Sequence, residues 1–169
     1  MHYFALHIKT GSEEKIRKSI EEMIHNDLRV FCPMRELMIR KKGKSTRQLK
    51  PMFGGYIFVE AEEISASTLS ILKKIPDFFQ VLPSNKDIKP VRKEEMEFLR
   101  SLFTGNQIAA LSVAKFDEND RIQIISGPLK GKEGLIVKVD RRKGRAKIQI
   151  NAFDREHYVD LGFELIGNV

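Results

Sequence analysis

The stretch RIQIISGPLKGKEGLI, residues 121–136, sets the pattern of the C-terminal part of the chain. It joins a run of β-favouring residues to a Gly-Pro turn and then to the start of a second apolar run. Similar short runs follow at residues 134–140, 146–151 and 157–161, separated by turns rich in Gly, Asp and Lys. Short strands at this spacing are typical of a small barrel. Residues 117–169 are therefore predicted to form a small β-barrel domain.

Residues 1–105 have a different sequence pattern, in which β-favouring runs alternate with segments of helical periodicity. Residues 3–8 predict a strand, and Thr10 and Glu13 have the spacing of a capping box, which predicts a helix start. The apolar stripe of that helix consists of Ile16, Ile20, Met23 and Ile24. Further strands are predicted at residues 29–32, 35–41, 45–50, 53–60 and 79–82, with helices near residues 69–75 and 92–103. This order predicts an α/β sandwich.

The stretch between these two parts, residues 106–116, loses both patterns and mixes Asn, Gln, Ala and Ser. Such a composition is typical of a linker. The chain is therefore predicted to be an α+β protein with two unlike domains, at residues 1–105 and 117–169.

The chain has 169 residues, and 30 Lys and Arg against 23 Asp and Glu give it a net charge of +7. A basic balance favours polyanionic partners, because neutralised phosphates release counterions. The single cysteine, Cys32, excludes an internal disulfide and a cysteine-based zinc site. The N-terminus lacks a signal-peptide pattern and no apolar run is long enough to cross a bilayer. A cytoplasmic monomer without membrane contact is therefore expected.

Residues 121–136 resemble a KOW motif, which pairs a hydrophobic strand with a Gly-Pro turn and a glycine before the second strand. Upstream, residues 53–59 (FGGYIFV) are similar to the F-P-G-Y-[LIV]-[FL]-[VI] strand of NusG N-terminal domains, with Gly54 where the family usually has proline. The chain therefore resembles the NusG family of transcription elongation factors. Its basic tail is similar to the specialised antiterminators of that family, of the LoaP or RfaH type.

The resemblance implies a fold and a first partner for residues 1–105. The N-terminal domain of the family is an antiparallel sheet flanked by helices, and its aromatic patch docks on the clamp helices of the largest subunit of RNA polymerase. The matching residues here are Tyr3, Phe4, Phe53, Tyr56 and Phe58. Because side chains alternate along a strand, some of these are expected in the core instead. Ser67 and Thr68 align with the motif that meets the gate loop of the second-largest subunit, or they simply begin a helix.

A basic segment at residues 40–50 holds six cations and no acid. A hairpin tip of this kind can lie along a phosphate backbone, and the resemblance implies a place beside the upstream fork or the non-template DNA strand. Lysines also protect exposed sheet edges, but six cations exceed what that protection needs. The predicted DNA-binding residues are Arg40, Lys41, Lys42, Lys44 and Arg47.

Residues 130–147 contain eight basic and two acidic residues. If the barrel brings their loops together, they form a basic face suited to structured RNA, such as a nascent RNA hairpin. The predicted RNA-binding residues are Lys130, Lys132, Arg141, Arg142, Lys143, Arg145 and Lys147. The alternative is a protein partner, since the resemblance implies that the KOW domain of general NusG factors binds ribosomal protein S10 or Rho. In that case the contact would fall on Ile124, Ile136 and Phe153.

The sequence offers no constellation for catalysis. GPLKGK at residues 127–132 has one residue too few between its glycines for a phosphate-binding loop, and Glu133 stands where Ser or Thr should bind magnesium. The four histidines have no metal-ligand spacing, so neither a metal nor a cofactor is predicted. A ribosome-associated KOW protein is the competing class. The aromatic strand at residues 53–59 favours the polymerase-bound factor over it.

Overall fold

The computed structural model describes residues 1–25 and 28–166. Within them the elements up to the last helix are β1 (His2–Ile8), α1 (Glu13–Met23), β2 (Arg29–Phe31), β3 (Met34–Lys41), β4 (Lys44–Pro51), β5 (Tyr56–Ala61), α2 (Ala66–Lys74), β6 (Phe78–Val81), β7 (Pro83–Ser84), β8 (Asp87–Ile88) and α3 (Lys93–Ser101). The strands after it are β9 (Ile108–Ala109), β10 (Ser112–Phe116), β11 (Ile122–Ser126), β12 (Ile136–Asp140), β13 (Arg145–Ala152) and β14 (Arg155–Leu165). A short 3-10 turn, Glu133–Leu135, precedes β12.

Two compact units divide the chain. The first contains Met1–Pro33 and Phe53–Phe98, and the second contains Met34–Met52 and the chain from Leu99 onward. The hairpin of β3 and β4 therefore clusters with the C-terminal strands, although it lies inside residues 1–105. The prediction of an α+β protein is confirmed.

An antiparallel sheet with the strand order β2-β5-β1-β6 forms the centre of the first unit. On one face, Phe4, Leu6 and Ile8 alternate along β1 into a buried apolar cluster. The other members of that cluster come mainly from β5 and the two helices: Ile57, Val59, Ile16, Ile20, Leu72 and Ile75. The predicted apolar stripe of α1 thus packs on the sheet through Ile16 and Ile20, whereas Met23 is exposed.

The start of α1 is built differently from the predicted capping box. The residue before the helix is Ser12, whose side chain makes no capping hydrogen bond. The Glu13 carboxylate instead accepts hydrogen bonds from the backbone N–H of Gly11 and from that of Gly55, the latter at 2.9 Å. Glu13 is only 5% exposed, and Gly55 has φ +86°, a conformation that favours glycine. The carboxylate therefore joins the β1–α1 loop to the glycine pair that precedes β5.

The second unit contains a five-stranded sheet with the order β11-β10-β14-β13-β12, called the barrel sheet below. β10 runs parallel to β14, and the other neighbours are antiparallel. Its buried side chains come mainly from every second position of β13 and from β14: Ala146, Ile148, Ile150, Val159, Leu161 and Phe163. The same unit holds a three-stranded sheet, β4-β3-β9.

The predicted linker is corrected by the structure, because residues 106–116 contain β9 and β10. Ser112 is fully buried, and its hydroxyl accepts a hydrogen bond from the Leu129 backbone N–H at 3.0 Å. A Cβ on Gly127 would lie 2.7 Å from the Ser112 Cα, so only glycine fits this turn. The linker prediction failed because a short strand with Ala and Ser has little apolar periodicity, and its partners are distant in sequence.

No helix in the described ranges is long and apolar enough to span a membrane. Within residues 1–25 and 28–166, no group of three or more His, Cys, Asp and Glu side chains is arranged to hold a metal ion.

Replacing Glu13 with alanine leaves the backbone N–H groups of Gly11 and Gly55 without their acceptor. A buried donor without a partner costs about 1–3 kcal/mol, so we expect Glu13→Ala to lower the free energy of unfolding by that amount. Urea unfolding followed by circular dichroism measures the change. Glu22→Ala, an exposed position on the same helix, is the control and should stay within about 0.5 kcal/mol of the parent chain. Equal stability of the two variants would contradict this role of Glu13.

Candidate nucleic-acid interface

The predicted basic hairpin exists and is exposed. β3 and β4 pair from Met34↔Pro51 to Lys41↔Lys44, which leaves Lys42 and Gly43 as a two-residue turn. Both turn residues have positive φ, 50° and 76°, as a tight hairpin requires. Four predicted DNA contacts at this tip, Arg40, Lys41, Lys42 and Lys44, are solvent-exposed. None of the four makes a salt bridge within the described part of the chain.

Arg47 differs from the other cations of the hairpin, because it is paired with acids. Its guanidinium lies 3.4 Å from a Glu36 carboxylate oxygen and 3.8 Å from one of Glu164. The second of these contacts ties β4 to β14 within the second unit. Arg47 is therefore less available to a phosphate than the lysines at the tip.

The base of the hairpin packs closely on β14. The Arg35 guanidinium donates to the Asp160 backbone carbonyl, and a Cβ on Gly162 would come within 2.5 Å of the Glu36 carbonyl oxygen. Burial lowers the pKa of Arg35, and nearby Arg145 lowers it further, whereas Asp160 raises it. Nε of Arg35 and Nε of Arg145 are both buried without a hydrogen-bond partner. Sequence reasoning missed Arg35, because one arginine in a basic strand carries no signal of burial.

The second predicted basic loop, between β12 and β13, faces the hairpin across a cleft of about 340 Å³. The lining includes Met38 and Ser45 of the hairpin and Arg141, Arg142 and Lys143 of the loop. The structure thus brings the candidate DNA and RNA segments to one cleft of the second unit. Arg142 and Lys143 are exposed there, and the Lys143 backbone N–H donates to the Asp140 carboxylate at 2.9 Å.

Arg141 is held by its own neighbours. Its guanidinium lies 4.3 Å from the centre of the Phe116 ring and 3.4 Å from an Asp120 carboxylate oxygen. A cation over an aromatic face is attracted by the ring. Arg141 therefore helps to shape the loop.

Lys130 and Lys132 do not join the cleft. The Lys130 ammonium donates to the Ile125 carbonyl at 3.0 Å, and the Lys132 ammonium lies 3.5 Å from the Ser101 carbonyl. Of the residues predicted to form the basic face, Arg141, Arg142 and Lys143 line this cleft. All three belong to the β12–β13 loop. Arg145 and Lys147 line a separate cavity together with Lys143.

The predicted polymerase-binding residues divide between core and surface. The prediction for Phe4 is corrected, because this side chain lies in the core, in the cluster under the two helices. Phe58, Phe53 and Tyr56 are also buried, at 0%, 3% and 9% exposure. Tyr3 is half-buried and sets its ring edge-on to Phe31, with centroids 5.6 Å apart. Phe31 in turn stacks on Phe58.

The sheet face opposite the helices is therefore aromatic, and it continues to two residues that sequence reasoning missed. His7 stacks on Tyr56 with centroids 5.1 Å apart, and Phe79 meets the His7 ring edge-on at the same distance. Phe79 is 53% exposed. The available signal was the pair Phe78-Phe79 on a short strand, because two adjacent aromatic side chains point to opposite faces.

Ser67 and Thr68 lie in the first turn of α2, beside a cap that sequence reasoning did not name. Ser65 precedes the helix, and its hydroxyl accepts a hydrogen bond from the Thr68 backbone N–H at 3.1 Å. The same hydroxyl lies 3.0 Å from that of Ser67 and 2.9 Å from that of Thr68. Ser67 and Thr68 thus lie where the interpretation as an ordinary helix start places them, and the Ser67 side chain is exposed.

Cys32 is predicted to be unreactive in the folded chain. Burial, followed by the negative charges of Glu13 and Glu14, raises its pKa to about 12. The thiolate is the nucleophile, and at pH 8 almost none is present. We expect slow labelling by a thiol reagent in native buffer and fast labelling in denaturant, followed by absorbance. Native labelling at the rate of a free thiol would contradict the burial of this side chain.

The fold and these surfaces define a binding protein with two parts, an α/β unit with an aromatic sheet face and a β unit with a cationic surface. The family model described as transcription termination factor nusG matches residues 1–100, and the KOW motif model matches residues 118–150. The chain therefore belongs to the NusG family.

Relatives match over nearly the whole length. The transcription termination/antitermination protein NusG of Thermus thermophilus is 23% identical, over 98% of this chain and 97% of its own. The protein of the same name from Streptococcus pyogenes is 26% identical, over 91% of this chain and 88% of its own. The solved structure titled "Domain interaction in Thermotoga maritima NusG" has a TM-score of 0.58 at 23% identity and covers 95% of this chain and 93% of that chain. This likeness supports the fold.

Proposed function

We propose that this protein is a transcription elongation and antitermination factor that binds RNA polymerase through its first unit and RNA through its second. The observation that carries the proposal is the NusG family match over residues 1–100, followed by a KOW segment. The T. thermophilus and S. pyogenes relatives are named for termination and antitermination, which supports a role in transcription here.

The polymerase contact is assigned to the aromatic sheet face of the first unit. Tyr3, His7 and Phe79 form its accessible part, and the buried rings of Tyr56 and Phe58 support them from below. Exposed aromatic side chains on a rigid sheet are suited to anchor a protein partner. The clamp helices of the largest polymerase subunit are the expected partner on the family resemblance. Ser67 and Thr68 are assigned to the gate loop of the second-largest subunit on the same basis.

The cationic tip of the hairpin is assigned to nucleic acid beside the polymerase, in particular the non-template DNA strand. Arg40, Lys41, Lys42 and Lys44 support this assignment, because they are exposed and without acidic partners in the described residues. Arg47 contributes to the position of the hairpin through its two acidic neighbours.

RNA is favoured over a protein partner for the barrel sheet. A partner such as ribosomal protein S10 or Rho would use apolar residues that have little accessible surface here. Ile124 and Phe153 are buried, and Ile136 is half-buried. The cations of the β12–β13 loop are exposed by contrast. A nascent RNA hairpin is the proposed target, and it favours a specialised antiterminator over a general NusG factor.

The polymerase assignment is tested by Phe79→Ser. Loss of an exposed aromatic anchor costs about 2 kcal/mol, so we expect roughly thirtyfold weaker binding to purified RNA polymerase in surface plasmon resonance. Met23→Ser is the matched control, because Met23 is a similarly exposed apolar residue of the same unit, on α1. The proposal fails if the two variants bind alike.

The RNA assignment is tested by charge reversal at Arg142 and Lys143 in the full chain. We expect weaker binding to a structured RNA and a salt dependence reduced by about one to two in its logarithmic slope, because fewer phosphates are neutralised. Fluorescence anisotropy over a series of salt concentrations measures both. Lys73→Glu with Lys74→Glu, an exposed neighbouring pair on α2, controls for net charge. Equal slopes for the two double variants would remove the RNA role from this loop.

A further inference from the structure

A cavity of about 140 Å³ lies on the outer side of the barrel sheet and shares Lys143 with the cleft between the loop and the hairpin. Its lining consists of four cations and two acids: Lys138, Lys143, Arg145, Lys147, Asp140 and Asp160. Arg145 and Lys147 alternate along β13 with Ala146 and Ile148, which are buried. The cavity is therefore a surface feature built on the back of the barrel core.

A β-bulge puts Lys138 into this cavity. β12 pairs with β13 as Ile136↔Ile148 and then as Lys138↔Lys147, so Val137 is an extra residue. With regular pairing Val137 would stand opposite Lys147. The bulge instead sets two lysines directly across from each other, and like charges in such a pair destabilise a sheet. Bulges commonly re-aim a side chain at a functional site.

The cations of the cavity stand opposite acids, Lys147 across from Asp160 and Arg145 across from Asp140, without reaching salt-bridge distance in the described residues. None of the four is in a salt bridge within the residues that the structure describes. Nε of Arg145 is buried and has no hydrogen-bond acceptor. The acids are partly engaged, because the Asp140 carboxylate accepts from the Lys143 backbone N–H. A buried donor without an acceptor in the protein can take one from a bound molecule, and the excess of four cations over two acids in the lining favours an anion.

An exposed tyrosine stands beside the cavity. Tyr158 is 55% exposed and pairs with Gln149 across β13 and β14, while its neighbour two residues on, Asp160, pairs with Lys147. Side chains in diagonal positions of a sheet are about 7–8 Å apart. Tyr158 is thus close enough to Lys147 for a single nucleotide to reach both. Gln149 stands directly opposite Tyr158, and its amide donates to the Glu156 carboxylate, which also lies 3.5 Å from the Tyr158 hydroxyl.

We propose that this cavity binds the phosphate of an unpaired RNA nucleotide and that the Tyr158 ring stacks on its base. Unpaired bases can be splayed out and stacked on aromatic side chains, whereas paired bases cannot. The site therefore reads a loop or a bulge rather than a continuous duplex. This inference rests on the proposed RNA role and assigns Lys138 and Tyr158, which lie outside the loop of Arg142 and Lys143.

The test uses the full chain with three probes: a short single-stranded oligouridine, a blunt RNA duplex of the same length, and inorganic phosphate. We expect Lys138→Gln with Lys147→Gln to weaken oligouridine binding by about fivefold to tenfold. Each single variant should show part of the loss, and the two losses should not multiply, because both lysines bind one phosphate. Lys115→Gln, an exposed lysine on β10, is the control and should bind like the parent chain.

The stack is tested by Tyr158→Ala against Tyr158→Phe. We expect the alanine variant to bind oligouridine about tenfold more weakly, while the phenylalanine variant keeps the affinity and duplex binding is unchanged. An equal loss for oligouridine and duplex would overturn the assignment of an unpaired nucleotide.

Two further results would overturn the site itself. One is equal binding by the double lysine variant and the Lys115→Gln control. The other is displacement of oligouridine from the parent chain by inorganic phosphate at a concentration that leaves RNA binding at other lysine clusters unchanged. The cavity would then be a simple anion site. A parent chain that binds none of the RNA probes would contradict the proposed RNA role as a whole. A parent chain that binds while its variants are unaffected contradicts only this cavity.

Discussion

The alternation of side chains along β13 couples the core of the second unit to its charged surface. Ala146, Ile148 and Ile150 point inward and are buried, and Arg145 and Lys147 take the alternate positions on either side of Ala146. The strand cannot slip by one residue, because a slip would move the apolar set to solvent and the cations into the core. The packing of the core therefore holds the cationic surface in register, and the position of every proposed RNA contact on this strand depends on it.

The first unit uses the same constraint for a different purpose. β1 sends Phe4, Leu6 and Ile8 to the helices and leaves Tyr3 and His7 on the opposite face. Glu13 holds the loop beside this strand to the glycines before β5, so the two central strands of the sheet meet in one register. One sheet thus supplies both the core and a rigid aromatic surface. A rigid surface loses little conformational entropy when it binds a partner.

Much of the fold could be predicted from periodicity, and most of the site could not. The stripe of Ile16 and Ile20, the hairpin at Lys42 and Gly43 and the four C-terminal strands follow from local pattern and turn chemistry. The linker prediction failed at Ser112, because its burial depends on Gly127 and Leu129. Lys138 was missed because a bulge changes the face of the sheet on which a residue lies, and the sequence of β12 does not predict that bulge. Phe4 looks like a surface anchor until the sheet shows which face the helices cover. Phe58 lies on the opposite face and is buried there against Phe31 and Phe53.

We propose that RNA binds to the barrel sheet of the second unit. Ultraviolet cross-linking of the full chain to nascent RNA in a transcription elongation complex, read by mass spectrometry, tests it most directly. We expect cross-links at Tyr158 and at neighbouring residues of β12 and β13. Cross-links confined to the hairpin tip at Lys41–Lys44, or found only on the first unit, would contradict it.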